Sequence, residues 1–347
     1  MEKSEKDLKS MSLRQLGELS VELGGKKFHG KYIFNFVQGR DVENVDDISP
    51  LSKALREKLK GEGYFISRLR IVEKFVDPDG TVKYLFECGD GERVESVLLF
   101  DDERRTLCIS TQVGCRMGCE FCATAKLGFK RNLTAGEIVD QVNRVFEDGG
   151  KVNNVVYMGM GEPLDNYEQV MRSVGILNNE NGRNMGIRHL TISSCGVAER
   201  IEALAEEELK PRLAISLNSV DNEVRGRIMP INRKYDLKRL FDSVRVYQLK
   251  TGRRITFEYI MIRGLNDSDG DARGVVKQLK GVKSHVNLIE YNEHSGSDFA
   301  ASSGERIRSF AAILREKGIE TTIRMKQGRS IKAACGQLGA DWLKKKS

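Results

Sequence analysis

"TLCISTQVGCRMGCEFC" runs from Thr106 to Cys122: an apolar strand candidate that leads into three thiols, Cys115, Cys119 and Cys122, separated by three and then two residues. The chain has 347 residues and seven cysteines, the others being Cys88, Cys108, Cys195 and Cys335. An odd, unevenly spread set is not a secreted disulfide framework, so metal binding or thiol chemistry is the better account. Buried cysteines often serve as small hydrophobes, but these three are interleaved with Arg116, Gly118 and Glu120 and form no apolar face. Structural zinc is the main rival. It is usually closed by four ligands in two spaced pairs, and no second CxxC exists here to supply the other pair. An iron–sulfur cluster on three thiolates leaves one iron without a protein ligand, which is useful only if something else binds there. The missing fourth cysteine is therefore a clue to function.

Outward from this stretch the pattern alternates. "AGEIVDQVNRVFE" reads as helix, "VNNVVYM" as strand and "YEQVMRSVGIL" as helix, and the rhythm continues to "ERIRSFAAILREKG". Six strand-then-helix units result, with "IETTIRM" as a seventh strand. Strands alternating with helices imply right-handed parallel crossovers, hence an α/β fold with a parallel sheet curved into a full or partial barrel. Chemistry in such barrels gathers at the loops after the strand C-terminal ends. The polar motifs below all fall at such ends, except Glu95, Cys108 and Cys335.

Residues 1–62 read as a small helical module, with "DDISP" offering helix caps, and 63–100 as a short antiparallel meander with "DPDG" and "CGDGE" as turns. Residues 101–328 form the barrel core and 329–347 a C-terminal loop. No long apolar run or signal-like opening is present and the mean hydropathy is −0.42, so a cytoplasmic chain with no membrane partner is expected. The net charge is +7, with a pI near 8.9, which favours polyanionic partners. From Arg315 to Lys346 there are nine basic residues against three acids. The closing Lys344, Lys345 and Lys346 are as easily a solvated end, whereas Arg324, Lys326, Arg329 and Lys332 lead up to Cys335.

At the second strand end "MGMGEP" supplies Gly161, Glu162 and Pro163; the glycines permit close backbone approach and Glu162 is an acceptor for an ammonium group. "ISSCG" puts Ser193 and Ser194 at the third end as donors to a carboxylate. "SLN" (Ser216, Leu217, Asn218) closes the fourth and Asn292 the sixth. Any one could be an ordinary loop; four around one barrel mouth are a constellation. Cys335 lies among Ala333, Ala334 and Gly336, in a segment able to fold across that mouth, where Arg329 or Lys332 would favour its thiolate. Cys88 and Cys195 read as buried small residues.

The CxxxCxxC spacing in the loop after the first barrel strand resembles the signature of the radical S-adenosylmethionine (SAM) enzymes. The resemblance implies a partial (βα)6 radical SAM barrel carrying one [4Fe–4S] cluster on Cys115, Cys119 and Cys122. Its open iron chelates SAM, and reductive cleavage releases a 5′-deoxyadenosyl radical. Together "LCISTQVGCRMGCEFCATAKLGFKRNLTAGEI", "MGMGEPLDN", "MPINRKY", "HVNLIEYN" and "AACGQL", with "GERVES" before them, resemble the radical SAM ribosomal RNA adenine methyltransferases of the RlmN/Cfr type, from about Leu98 to Gly339.

That resemblance implies methylation of C2 of an adenosine in 23S ribosomal RNA, with two SAM molecules per turnover; C8 is the family's other target. Cys335 would be methylated first and carry the methyl to the base. Glu95 would be the proton acceptor, and Cys108 would close a transient disulfide with Cys335. Gly161, Glu162, Pro163, Ser193, Ser194, Ser216, Leu217, Asn218 and Asn292 would contact SAM. Some relatives also modify the adenosine beside the transfer-RNA anticodon. A donor such as flavodoxin or ferredoxin supplies electrons, and a monomer is expected.

Two positions depart from the family pattern: Asn218 replaces a usual histidine and Ser330 a usual acid. His29, His189, His285 and His294 match no catalytic position. Lys26, Lys27, Lys31 and the basic tail are handles for RNA, and Lys130 and Arg131 either touch RNA or brace the cysteine loop. A methylthiotransferase would need cysteines for a second cluster, which are lacking. A zinc-dependent RNA-binding protein without catalysis is the other alternative.

Overall fold

A capping box starts helix α1 (Leu13–Glu22): Gln15 N donates to Ser12 Oγ at 3.3 Å and Ser12 N to Gln15 Oε1 at 3.0 Å. With α2 (His29–Gly39) and α3 (Lys53–Gly61) it forms the N-terminal module, whose Leu16, Ile33, Phe34, Val37 and Leu59 are fully buried. Each such side chain contributes about 1.5–3 kcal/mol relative to exposure. The computed structural model describes residues 6–293, 297–324 and 327–343, so His294, Lys326 and Lys344 to Lys346 lie outside the described residues.

Strands β1 (Arg70–Val76), β2 (Val82–Glu87), β3 (Arg93–Asp101) and β4 (Arg104–Cys108) form the antiparallel meander. The short strands β5 (Gln112–Gly114) and β6 (Phe129–Asn132) make a separate ribbon around the cysteine loop and α4 (Ala123–Lys126). Then come α5 (Ala135–Glu147), β7 (Asn154–Tyr157), α6 (Tyr167–Asn178), β8 (Leu190–Ser194), α7 (Ala198–Glu206) and β9 (Arg212–Ser216). Helices α8 (Asn222–Ile228) and α9 (Leu237–Thr251) precede β10 (Ile255–Met261), α10 (Asp269–Gln278), β11 (Ser284–Glu290), α11 (Gly304–Glu316), β12 (Glu320–Arg324) and α12 (Ala340–Leu343).

The meander and the parallel strands are one ten-stranded sheet in the order β1-β2-β3-β4-β7-β8-β9-β10-β11-β12. Thus β4 pairs antiparallel with β3 and parallel with β7, and six βα units run from β4 to β12. The sheet remains open, with β1 and β12 at its edges, yet Val97 and Leu99 of β3 line the same cavity as Arg324 of β12. It is therefore curled into the partial barrel that the alternation implied. Gln327 Nε2 spans the gap to Phe100 O at 2.7 Å.

The stretch "TLCISTQVG" is not one strand. After Cys108 the chain leaves the sheet because α5 satisfies the backbone that a ladder would otherwise hold: Ser110 N donates to Gln141 Oε1 at 2.8 Å and Gln141 Nε2 to Ser110 O at 2.9 Å. Gly114 permits the next turn. Its φ is +73°, and a Cβ there would lie 1.8 Å from Gly128 O.

The N-terminal module is joined to the core by buried charge. Lys9 Nζ lies 2.5 Å from Asp140 Oδ1 on α5, both side chains buried, and Leu69 N donates to Asp140 Oδ2 at 2.6 Å. Among the described residues no helix is long and apolar enough to cross a membrane.

Candidate active site

The three thiols Cys115, Cys119 and Cys122 line a cleft at the C-terminal ends of the parallel strands. Burial pushes Cys115 up to about 12 and raises Cys119 and Cys122 as well. The three also feel one another's charge, so an electropositive guest shared by all of them would relieve both effects. Among the described residues no three His, Cys, Asp or Glu side chains converge on a point as a single-ion site requires. Three thiols from one loop at the wall of this cleft suit a thiolate-held iron–sulfur cluster.

The same cleft is lined by Gly161, Glu162, Pro163, Ser193, Ser194, Ser216, Asn218 and Asn292. Gly161 has φ +99°, and a Cβ would come within 2.6 Å of Gln112 Cβ, so only glycine lets this turn approach the cysteine loop's strand. Glu162 Oε1 accepts Leu164 N at 3.0 Å and Oε2 accepts Cys195 N at 2.8 Å. Burial raises its pKa, and hydrogen bonds from the Cys195 and Leu164 backbone and from the Cys195 and Ser194 side chains oppose the rise. Ser194 Oγ accepts Gly196 N at 3.0 Å and Val197 N at 3.3 Å, and its hydroxyl is hydrogen-bonded to Glu162.

Asn218 is fully buried at φ +57°, a conformation asparagine tolerates. Its Oδ1 accepts Ile260 N at 2.8 Å and its Nδ2 approaches Met229 Sδ at 3.2 Å, so both ends of the amide hold the fold. Leu217 alone of the "SLN" element turns away from the cleft: its side chain is in the core, its N donates to Glu258 O and its O accepts Arg225 Nε.

Cys335 reaches the cleft because the C-terminal segment docks on the helix that follows the cysteine loop. Ala123 N donates to Gly336 O at 2.7 Å and Thr124 Oγ1 to Leu338 O at 2.8 Å. Asn292 Nδ2 donates to Cys335 O at 3.3 Å. Upstream, Ser330 N and Oγ donate to Asp77 Oδ2 at 2.9 and 2.6 Å, and Gly328 N to Asp79 Oδ2 at 2.8 Å. A carboxylate at position 330 would face Asp77, which accounts physically for serine there.

Cys108 lines the cleft as well, and it is the last residue of β4, so it too sits at a strand C-terminal end. Cys108 and Cys335 are free thiols. Burial pushes Cys108 up to about 12, with the Cys335 charge adding to the rise. The cation facing them is neither Arg329 nor Lys332: Arg329 lies 3.8 Å from Glu290, and Lys332 pairs with Asp341. It is Arg324, at the end of β12, whose pKa is raised first by Cys335, against burial, and then by Glu258 and Cys108.

Glu95 lies behind this wall. It shares the inward face of β3 with Val97 and Leu99 but is covered by the tail, its Oε2 accepting Gly339 N at 2.8 Å and its Oε1 lying 3.2 Å from Lys83 Nζ. Burial raises its pKa, and Lys83 opposes the rise.

Several site residues carry no motif of their own. Glu258 and Arg324 occupy inward positions of β10 and β12, and Glu258 Oε2 has no hydrogen-bond partner among the described residues. Cys195, expected to be a plain buried residue, is buried but lines the cleft beside Cys119 and Glu162. Alternation along the strands was the available signal for Glu258 and Arg324; for Cys195 it was the adjacent "SS" pair.

Other expectations resolve outside the cleft. Lys130 pairs with Glu92 at 2.7 Å and Arg131 with Asp90 and Glu137 at 2.6 and 2.8 Å, so both brace the cysteine ribbon. His29, His189 and His285 bond to Lys26 N, Asn154 and Thr322, away from the cleft. Lys27 and Lys31 line a second groove, with Arg14 and the exposed Phe28, between the N-terminal helices and α6.

Residues 109–273 match the family model of the radical SAM superfamily, and residues 6–64 that of the ribosomal RNA large subunit methyltransferase N-terminal domain. The chain is 46% identical over 335 residues to a Thermotoga neapolitana protein named probable dual-specificity RNA methyltransferase RlmN, covering 96% of this chain and 97% of that one. A Clostridium novyi protein of the same name is 42% identical over 341 residues, covering 98% and 99%. Among solved structures, a radical SAM methyltransferase from Sphaerobacter thermophilus matches with a TM-score of 0.90 at 41% identity, over 96% of this chain and 99% of that one.

Proposed function

Because this chain belongs to the RlmN-type radical SAM RNA methyltransferases, which use a [4Fe–4S] cluster and SAM, we propose that it methylates C2 of an adenosine in 23S ribosomal RNA. The dual-specificity name of its relatives extends the proposal to the adenosine beside the transfer-RNA anticodon. One observation carries the reading: Cys335, from the C-terminal segment, lines the same cleft as Cys108 and the three loop thiols.

In this proposal Cys115, Cys119 and Cys122 hold the cluster, with Glu162 accepting the SAM ammonium and Ser193 and Ser194 donating to its carboxylate. Bound there, the pair supplies one-electron chemistry that removes a hydrogen atom from a neighbouring methyl group. The chain's own residues do the rest. Cys335 sulfur first accepts a methyl from one SAM by displacement, the sulfonium leaving as the neutral thioether. Arg324, at the end of β12, lines the cleft with that sulfur.

Once activated, the carbon on Cys335 bonds to adenine C2, and the unpaired electron of the adduct would pass back to the one-electron centre held by Cys115, Cys119 and Cys122, so that loss of the C2 proton leaves a closed-shell thioether. Glu95 then takes the C2 proton. Cys108 sulfur attacks Cys335 sulfur, forming the disulfide as the sulfur–carbon bond breaks; its electron pair passes to the nucleobase, and a proton completes the methyl group. Glu95 is closed off by Gly339 in this state, so the tail must withdraw before that step.

RNA enters through charge. Lys26, Lys27 and Lys31 are exposed beside Phe28 and Tyr32 on the N-terminal module, which suits a phosphate backbone with an unpaired base to stack. Mass spectrometry of the tail peptide tests the carrier: a methyl on Cys335 is expected. Mapping the modified carbon on product nucleosides then tests the target, and a methyl at C8 would overturn the C2 assignment.

A further inference from the structure

Arg225 on α8 is fully buried. Its Nε donates to Leu217 O at 3.0 Å, its Nη1 to Asn232 Oδ1 at 2.8 Å, and its Nη2 to Cys195 O at 2.8 Å and Ser216 O at 3.2 Å. These acceptors are all neutral. They take four hydrogen bonds from the guanidinium and leave its charge uncompensated, an arrangement that ordinarily costs several kcal/mol. Among the described residues no carboxylate lies within ion-pair distance of it. Glu162 lies across the Cys195 peptide, accepting Cys195 N while Arg225 donates to Cys195 O.

The helix that carries Arg225 packs on the thiol loop. Glu120 N donates to Ile228 O at 2.9 Å, and a Cβ on Gly118 would touch Pro230 Cγ at 3.5 Å. Phe121, Cys195, Ile228 and Met229 form an apolar cluster against which Cys119 and Cys122 pack. Cys195 and Cys119 are the groups whose charge supports the guanidinium against burial. Three thiolates outweigh a 2+ iron–sulfur core, and a one-electron reduction to 1+ adds another negative charge. Net charge is one of the determinants of such a cluster's potential.

We propose that Arg225 is the built-in counter-ion of the cluster, a positioning residue whose field favours the reduced core and so raises its reduction potential. This rests on reading the thiol triad as the cluster site. The buried cation then has a partner after all, one that arrives only with the metal. The Asn232 amide, bonded to Arg225 and held in turn by Asn222, fixes where the charge sits.

The full-length protein, reconstituted anaerobically with iron and sulfide, is titrated with low-potential mediators and dithionite as the electron donor, and the reduced cluster is counted by electron paramagnetic resonance. Asn232→Asp puts a carboxylate where Arg225 already donates and neutralises it in place. The ratio of reduced to oxidised cluster at a fixed solution potential should fall at least about tenfold, which is about 59 mV for one electron. Arg225→Gln should move the potential the same way, and Arg225→Lys, which keeps the charge, should stay nearer the wild type.

An unchanged midpoint in Asn232→Asp, or equal shifts in the Lys and Gln variants, would overturn the proposal. Should Asn232→Asp take up no iron, Asn232→Ala decides: loading in Ala alone marks repulsion between the new carboxylate and the thiolates and supports the proposal, and failure of both marks a purely structural role, which overturns it. A wild-type protein that binds no iron would instead remove the cluster reading beneath it.

Discussion

Gly339 donates its backbone N–H to the Glu95 carboxylate at 2.8 Å across 244 residues of sequence, so the segment that carries Cys335 also closes over the proposed base. Lys83 holds the other carboxylate oxygen at 3.2 Å. Delivery of the methyl carrier and release of the base are thereby linked through one stretch of chain.

Burial raises Glu95 above its ordinary 4.5. The base works deprotonated, so methyl transfer should fall as pH drops through the raised value, on an acid limb above the usual carboxylate range. Glu95→Gln should slow turnover by about 10²–10⁴ and abolish the limb. Single-turnover rates against pH measure both. The stability contribution has the opposite sense: a raised carboxyl favours the fold below the unfolded pKa and loses that contribution as pH rises through the folded value.

Cys108 is pushed up to about 12, so in the resting protein it is a thiol at neutral pH. Iodoacetamide at about pH 8 should label it slowly, and labelling should quicken with pH toward the raised value, because only the thiolate reacts. Cys108→Ala removes the proposed partner that frees Cys335 from product. RNA should then remain covalently attached to Cys335 and migrate with the protein on a denaturing gel, and Cys335→Ala should abolish that band.

Although Cys195 lines the cleft beside the triad, the ligand reading assigns it no iron. Alanine at Cys115, Cys119 or Cys122 should each abolish the iron chromophore on anaerobic reconstitution, whereas Cys195→Ala should keep it. Iron and sulfide assays on the four variants distinguish these outcomes, and an intact chromophore in any triad variant would contradict the assignment.

Asp77 anchors the tail through Ser330, and that hydrogen bond is the leading cause of its lowered pKa. A depressed carboxyl stabilises docking above its unfolded value of 3.8 and loses that contribution as pH falls through the folded one. Limited proteolysis of the tail should therefore be slow at neutral pH and accelerate only in strong acid. Asp77→Ala, or Ser330→Asp with its facing carboxylates, should make it fast at neutral pH.

If the N-terminal cations bind phosphate, Lys27→Ala with Lys31→Ala should weaken RNA binding and flatten its salt dependence. The slope of log K against log salt should fall by about 0.7–0.9 for each phosphate no longer neutralised. The iron spectrum, which reports on a different region, should not change.

Local chemistry was readable from the linear chain. Cys115, Cys119 and Cys122 lie within one loop, whereas the helix cap expected in "DDISP" falls instead on Ser52, ahead of α3. The six βα units follow a period set by backbone geometry, so the parallel core was legible without coordinates. Reading stopped where partners are distant. The break after Cys108 depends on Gln141 taking over the backbone of Ser110, and Arg324 rather than Arg329 faces Cys335 because β12 ends at the cleft while Arg329 turns toward Glu290.

The amino-acid order by itself thus determined the alternating α/β core, the thiol triplet and the polar strand ends, because each depends on spacing along the chain. Only the tertiary structure decided that the meander extends the barrel sheet, that Gly339 covers Glu95, and that Arg225 is buried beside the thiol loop's helix contact with no carboxylate partner among the described residues. Those relationships join segments tens to hundreds of residues apart, and their energies exist only once the backbone has brought the groups together and excluded water from between them.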